Sequence, residues 1–172
     1  MEQDQNVPKP GWLRIALVGR NPKRTLFRAL MLAVVCLVTF KFILLPIRVE
    51  GISMLPTYKD RSFNLVNRLA YRFHHPARGD VVSIRTAGIS LMYLKRVVAL
   101  PGETVEFRGG QLVVDGTPVI EPWLKFPSNW TLPPRRLGTD EFYVVGDNRT
   151  MPPMNHTQGV ASLDRIVGKV LL

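Results

Sequence analysis

A long apolar segment near the start of the chain is the clearest pattern in the sequence. Residues 29–47 read ALMLAVVCLVTFKFILLPI and contain one charged residue, Lys41, and one proline, Pro46. A helix needs about 20 mostly apolar residues to cross a bilayer. A helix in a soluble core would show a polar stripe at a period of 3.6 residues, and residues 29–40 show none. The pattern therefore predicts a transmembrane helix over 29–47, with Lys41 extending toward the lipid headgroups.

The residues before this segment predict its orientation. Residues 1–28 hold six Lys or Arg against two acidic residues, and positive charge favours the cytoplasmic side. A cleaved signal peptide is the alternative, but the apolar run is longer than a usual signal core and no small-x-small site follows it. We therefore predict an uncleaved anchor, with 1–28 as a basic cytoplasmic segment and 48–172 as a domain across the membrane.

Beyond residue 48, short apolar stretches alternate with glycine and proline turns. This pattern predicts a mostly β fold class: a single N-terminal transmembrane helix followed by one antiparallel β domain. The Pro- and Trp-rich residues 122–137 are predicted to form a loop. The predicted strands cover residues 80–85, 91–100, 104–107, 111–114, 117–119 and 141–145.

The composition and net charge exclude one class of protein and indicate the kind of partner. The chain has 172 residues, a net charge of +10 and one cysteine, and a single cysteine excludes a disulfide scaffold. The charge suggests nucleic acid or anionic membrane as a neighbour. No basic block with interleaved aromatic residues is present, so we predict a lipid bilayer and no nucleic acid among the partners.

The histidines predict neither a catalytic triad nor a metal site. His74 and His75 lie in a predicted loop, and His156 is distant from them in the sequence. A zinc site needs three or four ligands at recognisable spacing, and there is no second cysteine. We predict no metal and no cofactor, with His74 and His75 as ordinary surface residues.

A lysine inside an apolar strand suggests a different chemistry. Lys95 lies in LMYLKRVVAL, where the strand period puts it on the same face as Tyr93 and Val97. Burial can lower a lysine pKa from about 10.4 to about 7–8, which makes the neutral amine a usable base. Arg96 points the other way and cannot act as a base. The alternative is that Lys95 is a charge on an edge strand that prevents aggregation, and periodicity alone does not separate the two.

Ser53, in the segment GISMLPT, is the candidate nucleophile for such a base. Gly51 permits close backbone approach to it, and Pro56 stiffens the turn beyond it. The serine lies shortly after the predicted anchor, so it would act on substrates at the bilayer. A plain turn serine is the alternative, and the chemistry of the residues by itself favours it.

Three segments stand in order along the chain: SMLPT at 53–57, YLKRVVALPGE at 93–103 and VVGDNR at 144–149, with GDVV at 79–82 between the first two. Together they resemble the boxes of type I signal peptidases, the membrane-bound serine-lysine proteases that remove signal peptides from exported proteins. The resemblance implies an antiparallel β catalytic domain in which Ser53 attacks the scissile carbonyl and neutral Lys95 is the general base.

The same resemblance implies further roles around the dyad. The Ser53 backbone N–H would donate to the oxyanion. In many members a hydroxyl two residues before the serine adds a second donor, and in this chain, as in other members, that position is Gly51. Met54, Tyr93 and Leu94 fall where the family shapes its pockets for small substrate residues, and Asp147 and Asn148 of the last box would support the site. The family also has an apolar surface that faces the membrane. Three aromatic residues would lie either on that surface or in the core, namely Trp123, Phe126 and Trp130.

The last box departs from the family pattern. Aligned without gaps onto Gly159, the serine that usually binds the catalytic lysine becomes Pro152, and the usual Asp and Arg become Met154 and His156. Asn155 replaces the second serine as a hydrogen-bonding group. One lost orienting bond is worth about 0.5–1.5 kcal/mol, which weakens a dyad without abolishing it.

These observations predict a membrane-anchored serine endopeptidase that cleaves signal peptides from exported preproteins. The predicted location is a bacterial plasma membrane, with the catalytic domain on its outer face. One alternative is a specialised relative that matures a single dedicated exported substrate, which the altered last box suggests. Another is a membrane-anchored binding protein without activity on the same fold.

Overall fold

The computed structural model describes residues 11, 21–85, 92–152 and 159–171. Its contacts divide the chain into residues 1–41 and 42–172. In the first unit, helix α1 (Pro22–Val38) begins with Pro22 at its first turn, and the Asn21 side chain accepts a hydrogen bond from the Arg24 N–H. Both features are typical of helix starts. A π-helical turn, Thr39–Ile43, follows.

The helix is long and apolar enough to cross a membrane over Pro22–Ile43, and none of that span is buried within the protein. A core helix of a soluble protein would be mostly buried, and the role of this helix as a membrane anchor stays a prediction. The boundaries differ from the predicted 29–47, because the helix begins at Pro22 and residues 44–47 lie in strand β1. Hydropathy does not distinguish an apolar strand from a helix, and Pro46 disfavours helical conformation at Leu45.

The second unit consists of antiparallel strands in two sheets. The seven-stranded sheet has the order β1-β2-β11-β3-β4-β9-β10, and the four-stranded sheet has the order β7-β6-β5-β8. The predicted mostly β fold class is therefore confirmed. The strands are β1 (Leu44–Arg48), β2 (Phe63–Asn67), β3 (Val81–Arg85), β4 (Met92–Ala99), β5 (Thr104–Arg108), β6 (Gln111–Val114), β7 (Thr117–Pro118), β8 (Leu132–Arg136), β9 (Glu141–Val145), β10 (Val160–Ser162) and β11 (Ile166–Leu171).

The predicted loop over 122–137 is wrong in its second half, where β8 forms despite Pro133 and Pro134. Proline lacks an N–H donor and is tolerated on an edge strand, and β8 is the edge of the four-stranded sheet. The aromatic residues of this region differ in exposure. Trp130 is buried in the core, Trp123 is half-buried and Phe126 is 39 % exposed.

Two core clusters connect the segments that carry the predicted site residues. One joins the sheets, because Val98 of β4 and Val145 of β9 pack with Phe107 of β5. The other packs Met54, from the turn that carries Ser53, with Leu94 of β4. The strand with Lys95 is therefore held by core packing toward both the second sheet and the serine turn.

Candidate active site

Lys95 lies on β4, a strand in the interior of the large sheet. β4 is flanked by β3 and β9, and every residue from Leu94 to Ala99 is buried. Lys95 pairs with Val82 of β3 and is only 7 % exposed. An edge-strand charge would face solvent, so the alternative reading of Lys95 as a charge against aggregation is wrong.

This burial changes the ionisation of Lys95. Desolvation lowers the pKa of its ammonium group to about 8, while the nearby Asp147 carboxylate opposes the shift. Among the described residues, the ammonium group has no hydrogen bond or ion pair. The cost of charging Lys95 in this environment makes the neutral amine accessible near pH 8, as a general base requires.

The segment after β1 forms a tight turn around Ser53. Gly51 has a φ of +98°, which favours glycine, and its N–H donates to Asp60 Oδ1 at 2.8 Å. Asn148 holds the next two carbonyls: its backbone N–H donates to Ser53 O at 3.0 Å and its side-chain Nδ2 donates to Ile52 O at 3.1 Å. The last box therefore fixes the backbone of the serine turn.

Asp147 links all three boxes of the sequence. Its carboxylate is fully buried and accepts from Arg96 Nε at 2.8 Å and Arg96 Nη2 at 2.6 Å. Thr57 Oγ1 donates to the same carboxylate at 2.5 Å. A two-pronged arginine–carboxylate contact is strongly directional. Arg96, which the sequence indicated only as the residue facing away from the base, thus anchors the last box to the lysine strand.

The Asp147–Asn148 segment adjoins both candidate catalytic residues. It contacts Ser53 through the Asn148 N–H and acts electrostatically on Lys95 through Asp147. The hydrogen bonds of the described residues do not include one between Ser53 Oγ and Lys95 Nζ. The Ser53 turn and the Lys95 strand therefore both lie next to the Asp147–Asn148 segment.

A groove of about 370 Å³ runs beside this arrangement. One side is formed by residues of β1 and its continuation, and the other by the start of β4. Among the described strands, β1 pairs with β2 alone, and Met92, Tyr93 and Leu94 pair with β3 alone. Both sides therefore present an unpaired strand edge, the feature with which an extended peptide can pair. The lining residues are Pro46, Ile47, Arg48, Glu50, Met92, Tyr93 and Leu94.

The residues expected to shape the substrate pockets occupy different places. Tyr93 and Leu94 line the groove, whereas Met54 is 1 % exposed and packs in the same cluster as Leu94. Gly51 has no side-chain hydroxyl, and its N–H donates to Asp60. Asn155 lies outside the described residues. Sequence reasoning missed Thr57, although it lies within the nucleophile box.

The two histidines of the segment 74–75 lie at the surface. His74 and His75 are exposed, which confirms them as surface residues, and His74 Nδ1 lies 3.1 Å from His75 O. Within the described ranges, no group of three or more His, Cys, Asp or Glu could hold a metal ion.

Comparison with known proteins identifies the family. A family model described as "Signal peptidase, peptidase S26" matches residues 23–172. The chain belongs to the signal peptidase family, peptidase S26. It is 30 % identical over 128 residues to a signal peptidase I of Leptolyngbya laminosa, a match covering 70 % of this chain and 63 % of that protein. It is 31 % identical over 151 residues to a probable signal peptidase I-1 of a Synechocystis species, covering 83 % of this chain and 77 % of the relative.

A signal peptidase I of Enterococcus faecalis, known from its crystal structure, is also similar to this chain. The two are 22 % identical with a TM-score of 0.47, and the match covers 56 % of this chain and 97 % of the other. The family matches confirm the prediction of a peptidase related to signal peptidase I. The residues expected to match the nucleophile, lysine and last boxes all lie within the matched range 23–172.

Proposed function

We propose that this signal peptidase homologue is a membrane-anchored serine endopeptidase that cleaves signal peptides from exported preproteins. Ser53 is the nucleophile and Lys95 the general base. The observation that carries the proposal is the burial of Lys95 in the strand that borders the groove, which lowers its pKa to about 8. Only the neutral amine can accept a proton, so a lowered pKa is the property that a lysine base needs.

Acylation begins when Ser53 Oγ attacks the scissile carbonyl carbon and its proton passes to Lys95 Nζ. The carbonyl oxygen becomes an oxyanion next to the Ser53 N–H, which has no acceptor among the described residues. Donors placed where charge develops lower the barrier. The proton then passes from Lys95 to the departing amine, the C–N bond breaks, and the mature protein leaves from an acyl-enzyme.

Hydrolysis of the acyl-enzyme reverses these proton transfers. Lys95 Nζ takes a proton from a water molecule, whose oxygen attacks the ester carbonyl carbon. The bond to Ser53 Oγ breaks, Ser53 regains the proton from Lys95, and the signal peptide leaves as a carboxylic acid that releases its remaining proton to solvent. Asn148 supports both steps because it donates hydrogen bonds to Ser53 O and Ile52 O. These bonds fix the backbone of the serine turn and thereby the direction of the Ser53 side chain.

The groove can bind a peptide substrate in an extended conformation. A peptide laid between β1 and the start of β4 can form backbone hydrogen bonds with both unpaired edges, while Leu94 and Tyr93 limit the room for its side chains. The apolar helix over Pro22–Ile43 would anchor the enzyme in the membrane that holds the signal peptide. The basic residues before the helix favour a cytoplasmic N-terminus and a catalytic domain on the outer face of a bacterial plasma membrane.

The proposal is tested with the full chain in detergent and a preprotein carrying a small-x-small cleavage site. We expect the unaltered protein to shorten the preprotein at that site and Ser53→Ala to leave it intact, as seen on a gel and by mass spectrometry of the product. Absence of cleavage by the unaltered protein, or cleavage by Ser53→Ala, would contradict the proposal.

The exchange of the family's serine for Pro152 favours a second candidate function, the maturation of one dedicated exported protein. Proline has no side-chain group that could hydrogen-bond the lysine. The same assay separates the two functions when a protein encoded beside this one replaces the generic preprotein. Cleavage of that protein alone would support the dedicated role.

A Gly51→Ala variant is expected to lose both stability and activity. A Cβ at Gly51 meets no atom within 4 Å, so the change is opposed by the φ of +98° and not by crowding. Alanine in left-handed conformations costs roughly 1–2 kcal/mol. Relief of that strain would rotate the serine turn, so we expect the turnover of preprotein to fall about tenfold or more.

Gly116→Ala is the matched control for this prediction. Gly116 also has open space at its Cβ and a φ of +77°, but it lies in the hairpin between β6 and β7. We expect a similar decrease in melting temperature with unchanged turnover. Equal turnover of the two variants would show that the Gly51 conformation does not position Ser53.

A further inference from the structure

A turn outside the three boxes contacts both the lysine box and the last box. Residues 121–124 lie between β7 and β8, and the Leu124 N–H donates to Glu121 O at 3.0 Å. The Glu121 carboxylate binds Arg149 of the last box, and the Trp123 ring lies under the guanidinium group of Arg96 at 4.6 Å. The 121–124 turn therefore contacts Arg149, which follows Asn148 in the sequence, and Arg96, which follows Lys95.

Glu121 neutralises an arginine that is removed from solvent. The Arg149 side chain is 0 % exposed and that of Glu121 is 4 % exposed. Arg149 Nη1 and Nη2 donate to the two carboxylate oxygens of Glu121 at 3.1 and 2.5 Å. A guanidinium group stays protonated in proteins, so loss of the carboxylate would leave a buried, uncompensated charge.

Arg149 in turn fixes the segment that holds the serine turn. Its Nε donates to Gly146 O at 2.8 Å and closes a ring that encloses Asp147 and Asn148. Its backbone N–H donates to Phe126 O at 3.0 Å. The hydrogen bonds from Asn148 to the serine turn begin inside this ring, so a shift of Arg149 displaces them.

Trp123 makes the second attachment of the 121–124 turn. A Cβ at Gly79 would lie 3.3 Å from the Trp123 ring, so the ring packs directly against this glycine. Gly79 O also accepts from Arg96 Nη1 at 2.6 Å. Trp123 therefore covers Arg96, the arginine that binds Asp147. The 121–124 turn thus contacts the last box directly through Glu121 and indirectly through Arg96.

We propose that Glu121 is a positioning residue of this peptidase, which acts through Arg149 and Asn148 to fix the backbone of the Ser53 turn. It needs no contact with the substrate or with Lys95. The effect on turnover rests on the proposed function, whereas the effect on Asn148 does not. The two can therefore fail separately.

The first test measures amide hydrogen exchange of the full chain in detergent without substrate. In Glu121→Gln, the side-chain shape is kept and the charge is lost. We expect the Asn148 amide, which donates to Ser53 O, to exchange at least about tenfold faster than in the unaltered protein. Lys169→Met is the control, because it removes an ion pair of 2.6 Å with Asp80 elsewhere in the same unit. We expect no change at Asn148 in that variant.

The second test measures preprotein cleavage by the same proteins. We expect kcat of Glu121→Gln to fall about tenfold to a hundredfold, as misplacement of a reacting group can do, with KM changed by less than about twofold. Glu121→Asp keeps the charge and is expected to recover part of kcat. Lys169→Met is expected to lower the melting temperature and leave kcat unchanged.

The outcomes separate the two proposals. Faster exchange at Asn148 in Glu121→Gln supports the positioning role, even where the unaltered protein fails to cleave and the proposed function falls. Unchanged exchange overturns it, as does unchanged kcat of the folded variant beside an active unaltered protein. If Glu121→Gln does not fold, Glu121→Asp is judged by the same two criteria with smaller expected changes.

Discussion

Lys95→Arg is expected to cleave preproteins no faster than Lys95→Ala, at least about a thousandfold below the unaltered protein. Arginine keeps the positive charge and much of the side-chain length of lysine. Its pKa above about 12 means that no useful fraction is neutral at any pH the protein tolerates. If Lys95 takes the proton of Ser53, both replacements remove the base and leave the other groups of the site.

The comparison of the two variants distinguishes a base from an electrostatic role. A lysine that only stabilised negative charge would be replaced in part by arginine, and Lys95→Arg would then turn over more preprotein than Lys95→Ala. Lys59→Arg makes the same chemical change at an exposed position and is expected to keep full activity. Turnover by Lys95→Arg clearly above that of Lys95→Ala would exclude Lys95 as the general base.

The sequence predicted the elements whose signal is local. The strand at 141–145 is correct to the residue, and β4 differs from its predicted ends only slightly. Alternation of apolar residues and glycine turns gave these elements because each is specified by its own side chains. The apolar residues 44–47 were misplaced because an edge strand and a helix exit share the same hydropathy.

The site was predicted as a set of residues but not as a set of contacts. Lys95 could be identified because a charge in an apolar strand is unusual, and its burial gave the expected direction of the pKa shift. The partners of Arg96 and Arg149 could not be identified, because Asp147 and Glu121 are distant from them in the sequence. Such pairs depend on which strands become neighbours, and the hydrophobic pattern does not give that order.

Arg96 illustrates the difference. The strand period predicts that it faces away from Lys95, and its chemistry excludes it as a base. Neither argument reveals that it binds Asp147 at 2.6 Å and carries the Trp123 ring on its guanidinium group. A residue next to a catalytic candidate therefore had a structural role that only the sheet order discloses.

Replacing Lys95 by methionine is expected to stabilise the fold while abolishing activity. Methionine has a similar length and carries no charge, so it can fill the same buried space. Burial lowers the pKa of Lys95 from 10.5 to about 8. At roughly 1.36 kcal/mol per pKa unit, this shift costs about 3 kcal/mol of folding stability wherever the lysine is protonated. The Lys95→Met protein should therefore be about 3 kcal/mol more stable than the unaltered protein at pH 7.

The direction of the Lys95 pKa shift determines how the stability difference between the two proteins depends on pH. Below pH 8 the lysine is protonated in the folded and unfolded states, and the folded state bears the full cost of a buried charge. Between pH 8 and about 10.5 the folded protein binds fewer protons than the unfolded chain, so its stability rises with pH. The advantage of Lys95→Met should therefore decrease across this range and nearly vanish above it.

Denaturant unfolding of both proteins in detergent, at pH 7 and at pH 10.5, measures this difference. Lys59→Met is the matched control, and a change at this exposed position is expected to stay within about 0.5 kcal/mol at either pH. A Lys95→Met protein less stable than the unaltered one at pH 7 would mean that the ammonium group is stabilised in the fold, in conflict with its role as a base. A gain of the same size at both pH values would mean that it comes from packing of the methionine and not from removal of a buried charge.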